Sequence, residues 1–355
     1  MTAPSPAEQI ESEISALQYD VDSLESKVRL TSIRDSIEDL ETSVTGLEQR
    51  IRNLRTRNYA FDKGLEGNAA DLASRWMVMK PSLQLQIDQQ AAQLDGAMRA
   101  IEAQRTQLAA WANNPSAARP VLNQVKAAVD NLESRVSAAE STIEGLYDSF
   151  KTEVNALRDY LDKVEWMLTQ VDEASFPFLP TEAGIMAVKA TWWRDNREDK
   201  DDPQGILLLT DQRIFFEQKQ EIATKKVLFI TTERQKVQKL LVEVPVTLVQ
   251  EIKATKQGLF KNEDHLELQF ASGAPLQSAH FHIDGQDCNY WQGLINRARI
   301  KDFDKERAIA VDQTVFEKTK AAPSLCPNCG GKITQVVMRG MDSITCEYCG
   351  TIIRL

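Results

Sequence analysis

Apolar residues recur every seven positions through much of the first half of the chain. A second apolar series is interleaved with the first, which places two apolar positions in each heptad and is typical of helices that pack along a seam. The first series comprises Val129, Val136, Ile143, Phe150, Leu157, Val164 and Val171, and the second comprises Val125, Leu132, Ala139 and Leu146. The pattern therefore predicts long helices of the coiled-coil type.

Helix-breaking residues divide this region into three segments. Gly and Asn cluster at residues 64–68, and residues 113–120 contain two prolines. Within the first segment the apolar series shifts by two residues near Leu30, where Ser32 and Asp35 predict a capping box that restarts the helix. We expect an elongated antiparallel helical hairpin or a three-helix coiled coil. Its seams fit pairing within one chain or between chains, so that a homo-oligomer through the coiled coil stays open.

The pattern changes near Phe176 to short β-branched and aromatic runs separated by turn residues, which predicts strands. The candidate strands are residues 184–194, 205–209, 213–217, 225–230, 240–244, 248–254, 265–270 and 277–283. A helix is predicted to follow from residue 285 to about 300, with Trp291 on its apolar stripe. Antiparallel strands followed by one helix predict a small β-barrel whose open end the helix plugs.

Two short sequences in this region carry a family resemblance. Residues 205–216, Gly-Ile-Leu-Leu-Leu-Thr-Asp-Gln-Arg-Ile-Phe-Phe, resemble the strand-turn-strand signature of GRAM and bacterial pleckstrin-homology-like domains. Residues 244–252, Val-Pro-Val-Thr-Leu-Val-Gln-Glu-Ile, resemble the next recurring element, and the Trp291 helix completes the order. The resemblance implies a pleckstrin-homology-like domain over residues 181–302 that binds phosphoinositide headgroups, anionic membrane or protein segments. The charged stretch 225–239 departs from the family's pattern.

The candidate ligand surface of such a domain is the loop 253–261. Lys253, Lys256 and Lys261 would meet phosphates, and Phe260 beside Leu259 would enter the membrane interface. The alternative is an ordinary hairpin in which Phe260 packs on the barrel. Three lysines are fewer than the about four to eight of a polybasic lipid site, and the basic residues of the charged stretch would raise that number if they shared this face.

Two copies of a Cys-x-x-Cys-Gly sequence lie near the end of the chain, with 16 residues between Cys329 and Cys346. Two residues between thiolates let both bind one ion from a tight turn, and the glycine lets backbone N–H groups face the sulfur atoms. Four thiolates leave no open coordination position, which makes the site structural. The sequence predicts one Zn²⁺ ion bound by Cys326, Cys329, Cys346 and Cys349 in a zinc ribbon. Rubredoxin-type iron sites use a longer gap and more aromatic residues, which favours zinc.

Between the two metal-binding turns, residues 333–338 and 343–345 are predicted to pair as a hairpin about Arg339 and Gly340, with residues 351–355 as a third strand. Cys288 is predicted to be a buried thiol. His280 and His282 lie on one side of a strand, and because no third ligand is near in sequence we expect a structural role.

Composition bounds the remaining alternatives. A formal net charge of -10 makes the chain a poor match for a polyanion such as DNA. No basic segment followed by an apolar run indicates a signal peptide, no apolar run is long enough to cross a membrane, and the few cysteines are clustered. We therefore expect a cytoplasmic protein, peripheral at a membrane if it binds lipid. The predicted domains are residues 1–175, 181–302 and 324–355, joined by a linker, 303–323, that is helical at its start and then flexible.

No sequence motif of a phosphate loop, a zinc protease, a serine hydrolase or a dinucleotide-binding fold is present, which favours a non-enzymatic protein. The predicted function is that of a scaffold or adaptor that docks to a protein or to anionic membrane through the pleckstrin-homology-like domain. The alternative is a nucleic-acid-associated or transcription-linked factor, because zinc ribbons serve in such proteins. The ribbon contains few basic residues, and the exposed turn of its predicted hairpin offers a single arginine, Arg339, which counts against that alternative.

Overall fold

The computed structural model describes residues 5–111, 114–193, 199, 201–227, 230–260, 262–312, 314–315, 317 and 321–355. The chain divides into two compact units. The first, called here the helical unit, is Met1–Glu48 with Gly67–Arg158. The second, called the sheet unit, is Gln49–Glu66 with Asp159–Leu355.

Long helices account for the heptad pattern, and they are α1 Pro6–Val28, α2 Thr31–Thr56, α3 Leu65–Ala110 and α4 Pro115–Asp172. The predicted break near Leu30 is confirmed, because Leu30 has φ 54° between α1 and α2, a left-handed conformation that does not continue an α-helix. The capping box predicted there is wrong. Helix α2 begins at Thr31, and the Ser32 hydroxyl donates instead to the Glu140 carboxylate at 2.7 Å.

Ion pairs within the helical unit define the directions of its helices. Helices α1 and α2 run antiparallel to α3, whereas α1 runs parallel to α4. The pairs are Asp22–Arg105 and Glu41–Lys80 for α3, and Glu13–Lys126 and Lys27–Glu133 for α4. These directions match the three-helix alternative of the sequence prediction, while coiled-coil packing and pairing between chains stay predictions.

The apolar seam of α4 departs from a strict heptad at one point. Leu146, which the heptad places in the seam, is 52% exposed, and Tyr147 is buried in its place. The buried positions Ala139, Ile143 and Tyr147 are spaced by four and four residues instead of by four and three. Such a step compensates for the difference between 3.5 and 3.6 residues per turn, so the buried stripe stays on one face of the helix.

The sheet unit contains one antiparallel sheet, in the order β4-β3-β2-β1-β7-β6-β5. Its strands are β1 Gly184–Trp193, β2 Gln204–Thr210, β3 Arg213–Val227, β4 Ile230–Pro245, β5 Val249–Gln257, β6 Glu263–Phe270 and β7 Ser278–Asp284. The separate strand predicted at 225–230 is wrong, because β3 and β4 pair along their whole length as one long hairpin. Strand pairs leave β4 and β5 as the two edges, and the closed barrel stays a prediction.

Helix α5, Cys288–Arg299, follows the last strand as predicted and packs on β5 and β6. The Asp287 carboxylate caps its first turn by accepting hydrogen bonds from two backbone N–H groups. Trp291 is fully buried on the inner side of the helix. Gln292 and Arg299 donate to the carbonyl oxygens of Ile252 and Gln250 at 2.6 and 3.1 Å, so side chains of α5 cover part of the β5 edge.

The ribbon differs from its predicted strand pairing. Strand β8, Ser343–Thr345, pairs with β9, Ile352–Arg354, while Leu325 and Lys332 form an isolated bridge. The predicted pairing of residues 333–338 with β8 is wrong, since these residues form no strand in the described part of the chain. This segment leads instead to Arg339, which is buried. The predicted exposed turn of a hairpin is thus an internal contact.

Candidate metal centre and docking surface

The four ribbon cysteines lie together, as their spacing predicts. Their four Sγ atoms all lie within 4.8 Å of one another. Cys326 Sγ is 3.7 Å from Cys349 Sγ, and Cys329 Sγ is 3.7 Å from Cys346 Sγ. A tetrahedral site with zinc–sulfur bonds of about 2.3 Å requires sulfur atoms about 3.8 Å apart. Two of the sulfur–sulfur distances have this value, and the four thiols could bind a tetrahedral metal ion such as Zn²⁺.

Both metal-binding turns have the same backbone construction. The N–H of Gly330 donates to the carbonyl oxygen of Cys326 at 2.8 Å, and that of Gly350 donates to Cys346 at 2.9 Å. Each glycine has positive φ, 69° and 71°, a conformation that side chains with a Cβ rarely adopt. The repeated Cys-x-x-Cys-Gly sequence thus produces two matching turns that face each other across the four sulfur atoms.

Polar groups also surround the sulfur atoms. The N–H of Gly331 donates to Cys329 Sγ at 3.4 Å, and the Thr351 hydroxyl lies 3.2 Å from Cys349 Sγ. Hydrogen bonds from the Thr351 side chain and backbone lower the pKa of the Cys349 thiol to about 6. The pKa of the Cys329 thiol is raised, because the effect of the Gly331 N–H is outweighed by the neighbouring Cys349 and Cys346 thiols and by burial. Such donors stabilise the thiolate form, which is the form that binds a metal.

The turn between β2 and β3 carries the Thr-Asp-Gln-Arg sequence of the family resemblance. The Thr210 hydroxyl accepts hydrogen bonds from the N–H groups of Gln212 and Arg213 at 3.1 and 2.8 Å and donates to Glu182 at 2.6 Å. The Arg213 guanidinium is in turn paired with the fully buried Glu182 carboxylate. These bonds hold the turn rigidly, with the Asp211 carboxylate turned toward the interior of the unit.

Asp211 connects three parts of the sheet unit. Its carboxylate pairs with Arg307, 2.7 Å away, and with Arg339 of the ribbon. Arg339 also donates to Thr181 Oγ1 at 3.2 Å and pairs with Asp304 at 3.1 Å. Burial raises the pKa of the Asp211 carboxyl, against the opposite effect of Arg339 and Arg307. The ribbon is therefore attached to the sheet through a buried ionic network.

Two further contacts secure this junction. Gln212 Nε2 donates to the backbone carbonyl of Arg339 at 3.0 Å. Gly340 has φ 88°, and a Cβ there would lie 3.2 Å from Pro180 Cδ and 3.1 Å from Thr181 Oγ1. The close approach of the ribbon to the sheet therefore requires glycine at position 340.

The β5–β6 hairpin presents its apolar residues to solvent. Leu259 and Phe260 are 98% and 87% exposed at the turn, where Gly258 has φ 84°. Phe260 consequently does not pack on the sheet as the alternative sequence interpretation required. Lys261 lies outside the described residues, so its predicted role in ligand binding stays a prediction.

The other lysines predicted to bind a ligand have partners within the sheet unit. Lys253 pairs with Glu267 at 3.2 Å. Lys256 lies 2.6 Å from Asp264 and 2.9 Å from Asp287, and hydrogen bonds to these carboxylates raise its pKa. These carboxylates neutralise the positive charges of Lys253 and Lys256 to which a phosphate would otherwise bind. Lys256 thus ties the hairpin to the start of α5, and binding of a phosphate by either lysine stays a prediction.

The charged stretch considered as an extension of this surface is only partly described. Its residues 225–227 end β3 and its residues 230–239 begin β4, which is an edge strand of the sheet, as is β5. Residues 228–229 lie outside the described residues. A larger basic patch that combines this stretch with the β5–β6 turn stays a prediction.

Several of these residues could not be found from the sequence. Arg339 was placed at an exposed hairpin turn, and nothing in its spacing connects it with Asp211. The third histidine, His265, is on β6 directly opposite His282 on β7, and only the register of the two strands brings them together. The most informative sequence signal is the Thr-Asp-Gln-Arg turn, which places Asp211 in a motif of the family resemblance but does not identify Arg339 as its partner.

Similarity to known proteins is found among solved structures. The chain matches no family model and no curated protein. Among solved structures it resembles the Vps36 N-terminal pleckstrin-homology domain, with 13% identity and a TM-score of 0.25 over 36% of this chain and 85% of that chain. A pleckstrin-homology domain from Shewanella amazonensis has 16% identity and a TM-score of 0.23 over 39% of this chain and 88% of that chain.

A third similar structure is the PDZ-RhoGEF DH/PH pair in complex with activated RhoA. It has 13% identity and a TM-score of 0.25, over 84% of this chain and 95% of that chain. Each of these three structures contains a pleckstrin-homology domain. The sheet unit itself has seven antiparallel strands followed by one helix. None of the helices in the described ranges is long and apolar enough to span a bilayer.

Proposed function

We propose that the chain is a non-enzymatic adaptor that docks to a protein partner through the β5–β6 hairpin of its pleckstrin-homology-like domain. The observation that carries this proposal is the near-complete exposure of Leu259 and Phe260 side by side at the turn. Adjacent bulky apolar side chains in water are unfavourable for an isolated molecule, and such residues serve as anchors in protein interfaces.

The charges around the hairpin favour protein over anionic membrane. Lys253 and Lys256 are each paired with carboxylates of the same domain. A phosphate-rich surface would have to compete with these carboxylates. An apolar pocket on a partner protein requires no such exchange, because Leu259 and Phe260 can enter it while the ion pairs stay intact.

Magnitudes limit what the hairpin turn can do alone. Burying one large apolar side chain contributes about 1.5–3 kcal/mol, so the pair contributes about 3–6 kcal/mol. Micromolar binding requires about 8 kcal/mol. The partner must therefore also contact the flanks of the hairpin, where the paired lysines and carboxylates would form a polar rim.

The ribbon and the helices have supporting roles in this proposal. The four cysteines would hold one Zn²⁺ ion, which stabilises a module too small to have a large apolar core. The buried position of Arg339 supports a ribbon that is fixed to the sheet, and it removes the arginine that a nucleic acid would otherwise meet. The helical unit would then serve as a scaffold that spaces or joins partners.

Sedimentation with lipid vesicles tests protein docking against membrane docking. The full chain would be mixed with neutral phosphatidylcholine vesicles and with vesicles that also contain phosphatidylserine, at low and at physiological salt. We expect the protein to stay in the supernatant in all cases, since Lys253 and Lys256 are already paired.

A matched pair of variants completes this test. Leu259→Ser with Phe260→Ser removes the exposed pair, whereas Ile300→Ser removes one 76% exposed apolar side chain at the end of α5. Salt-sensitive sedimentation with acidic vesicles that the hairpin variant loses and the Ile300 variant keeps would contradict protein docking and support the membrane alternative.

A further inference from the structure

All three histidines of the chain lie in one cluster on the outer side of the sheet. His265 of β6 is directly opposite His282 of β7, and their rings stack with centroids 4.7 Å apart. His280, two residues from His282, is opposite Trp193 of β1, and their ring centroids are 4.8 Å apart. The Trp193 ring also lies against His265, 4.6 Å away. The cluster therefore joins three neighbouring strands, β1, β7 and β6.

One contact in the cluster depends on protonation. His265 Nδ1 lies 3.0 Å from His280 Nε2, which is the distance of a hydrogen bond. Such a bond needs one nitrogen that carries a proton and one that does not. If both rings are protonated, two N–H groups face each other and the contact cannot persist. His265 is fully buried and its Nε2 has no hydrogen-bond partner, so a second proton on this ring adds a charge that burial disfavours.

We propose that the Trp193–His265–His280–His282 cluster is an acid-sensitive contact, which holds β1, β7 and β6 together when its rings are neutral and loosens them when a second proton binds. This goes beyond the proposed docking function and does not depend on it. Strand β6 leads directly from the exposed β5–β6 turn, so loosening it changes the surface that the adaptor would present.

The charged groups around the cluster act in both directions. Glu263 of β6 lies 3.6 Å from His265 Nε2, and Asp284 of β7 lies 4.0 Å from His282 Nε2. Glu263 favours a protonated His265 ring. Glu267 of β6 favours protonation of His280, while Lys253 of β5 opposes it. Uncharged residues lie opposite the cluster on the two outer strands, with Thr191 of β1 opposite His282 and Thr255 of β5 opposite His265.

The pKa values of His265 and His280 are lowered, because burial and the repulsion between the rings outweigh the effect of the nearby carboxylates. Burial lowers the pKa of His265, and the neighbouring His282 and His280 lower it further. Burial also lowers the pKa of His280. Because an unfolded histidine titrates near pH 6.5, the unfolded chain gains protons first as the pH falls. The folded sheet therefore loses stability below about pH 6.5 and keeps it at neutral pH.

The arrangement is not that of a metal site. Within the described ranges, side chains whose ligand atoms converge are the four ribbon cysteines and the group of Asp264, Asp287 and Cys288. The Lys256 ammonium group pairs with both aspartates of the second group. The ring planes of the stacked His265 and His282 are 17° apart. The lone pairs of their nitrogen atoms therefore lie in two nearly parallel planes and do not converge on one ion.

Nuclear magnetic resonance of the full chain with ¹⁵N-labelled histidine tests the proposal directly, because every imidazole signal must come from the cluster. We expect coupled titrations in which at least one ring stays neutral below pH 6. Over the same pH range the amide protection of β6 and β7 should fall by about tenfold relative to that of β2 and β3. Three independent titrations near pH 6.5 with constant protection would overturn the proposal.

A variant separates the switch from general acid sensitivity. His280→Gln keeps a side chain that can donate and accept hydrogen bonds but does not titrate. We expect the unfolding midpoint of this variant to change less between pH 7.5 and 5.5 than that of the unaltered chain. An equal change would count against the cluster, and if the variant fails to fold, the titration of the unaltered chain still decides.

Discussion

Purified protein is expected to carry about one zinc ion per chain, and Cys346→Ser is expected to lose it. Apparent binding energies of structural zinc are about 10–16 kcal/mol, far more than the stability of the ribbon without metal. The buried apolar cluster of the ribbon consists of Cys326, Cys346, Ile344 and Ile353, and two of these four are predicted metal ligands. Elemental analysis gives the metal content, and hydrogen exchange should show that residues 324–355 lose protection.

Cys288→Ser is the matched control for this experiment. Cys288 is also buried, but it lies at the start of α5, outside the four-cysteine group. Its replacement should leave the zinc content unchanged. Stoichiometric zinc in a variant that lacks all four ribbon cysteines would contradict the assignment.

Replacing Asp211 with asparagine is expected to destabilise the sheet unit by about 3–5 kcal/mol. The change leaves the buried guanidinium groups of Arg307 and Arg339 beside each other without the carboxylate that separates them, and breaking a buried ion pair has a cost of this size. The unfolding midpoint of the full chain in urea gives the loss. Hydrogen exchange should show in addition that residues 336–341 of the ribbon become unprotected.

Two arginine variants distinguish the loss of the buried ion-pair network from a general effect of removing one positive charge. Arg339→Met removes the ribbon's contribution, and because Arg307 still neutralises Asp211 we expect a loss of about 3 kcal/mol, at the lower end of the range. Arg354→Met removes an exposed arginine of the same module and should have little effect. The Asp211→Asn and Arg339→Met effects should be far from additive when combined. Additive effects would contradict the direct contact.

The helices and the strands could be predicted because their signals are local and repeated. The break at Leu30 follows from the shift in spacing of the apolar residues in the first segment. These residues are buried as their spacing requires, and they are Leu17, Val21, Leu24 and Val28 before the break and Ile33, Ile37, Leu40, Val44, Leu47, Ile51 and Leu54 after it. The exception at Leu146 arises because a heptad template assumes 3.5 residues per turn, and the helix corrects its own drift at a position that the template does not mark.

Contacts distant in sequence could not be predicted in the same way. Arg339 was expected at an exposed turn because glycine follows it, and a positive φ occurs at both exposed and buried turns. Its partner, Asp211, is 128 residues away. The cluster of histidines depends on the pairing of β6 with β7, which the sequence predicts only as two separate strands. The cysteines were predictable because their spacing alone forms each half of the site.

Photo-crosslinking from the hairpin turn in living cells tests the docking proposal most directly. A benzophenone amino acid at position 259 would be compared with the same residue at position 300, which is also exposed and lies at the end of α5. The proposal predicts a discrete protein adduct from position 259 that disappears with Phe260→Ser and is absent from position 300. No adduct from position 259 in folded protein, or the same adduct from both positions, would contradict it.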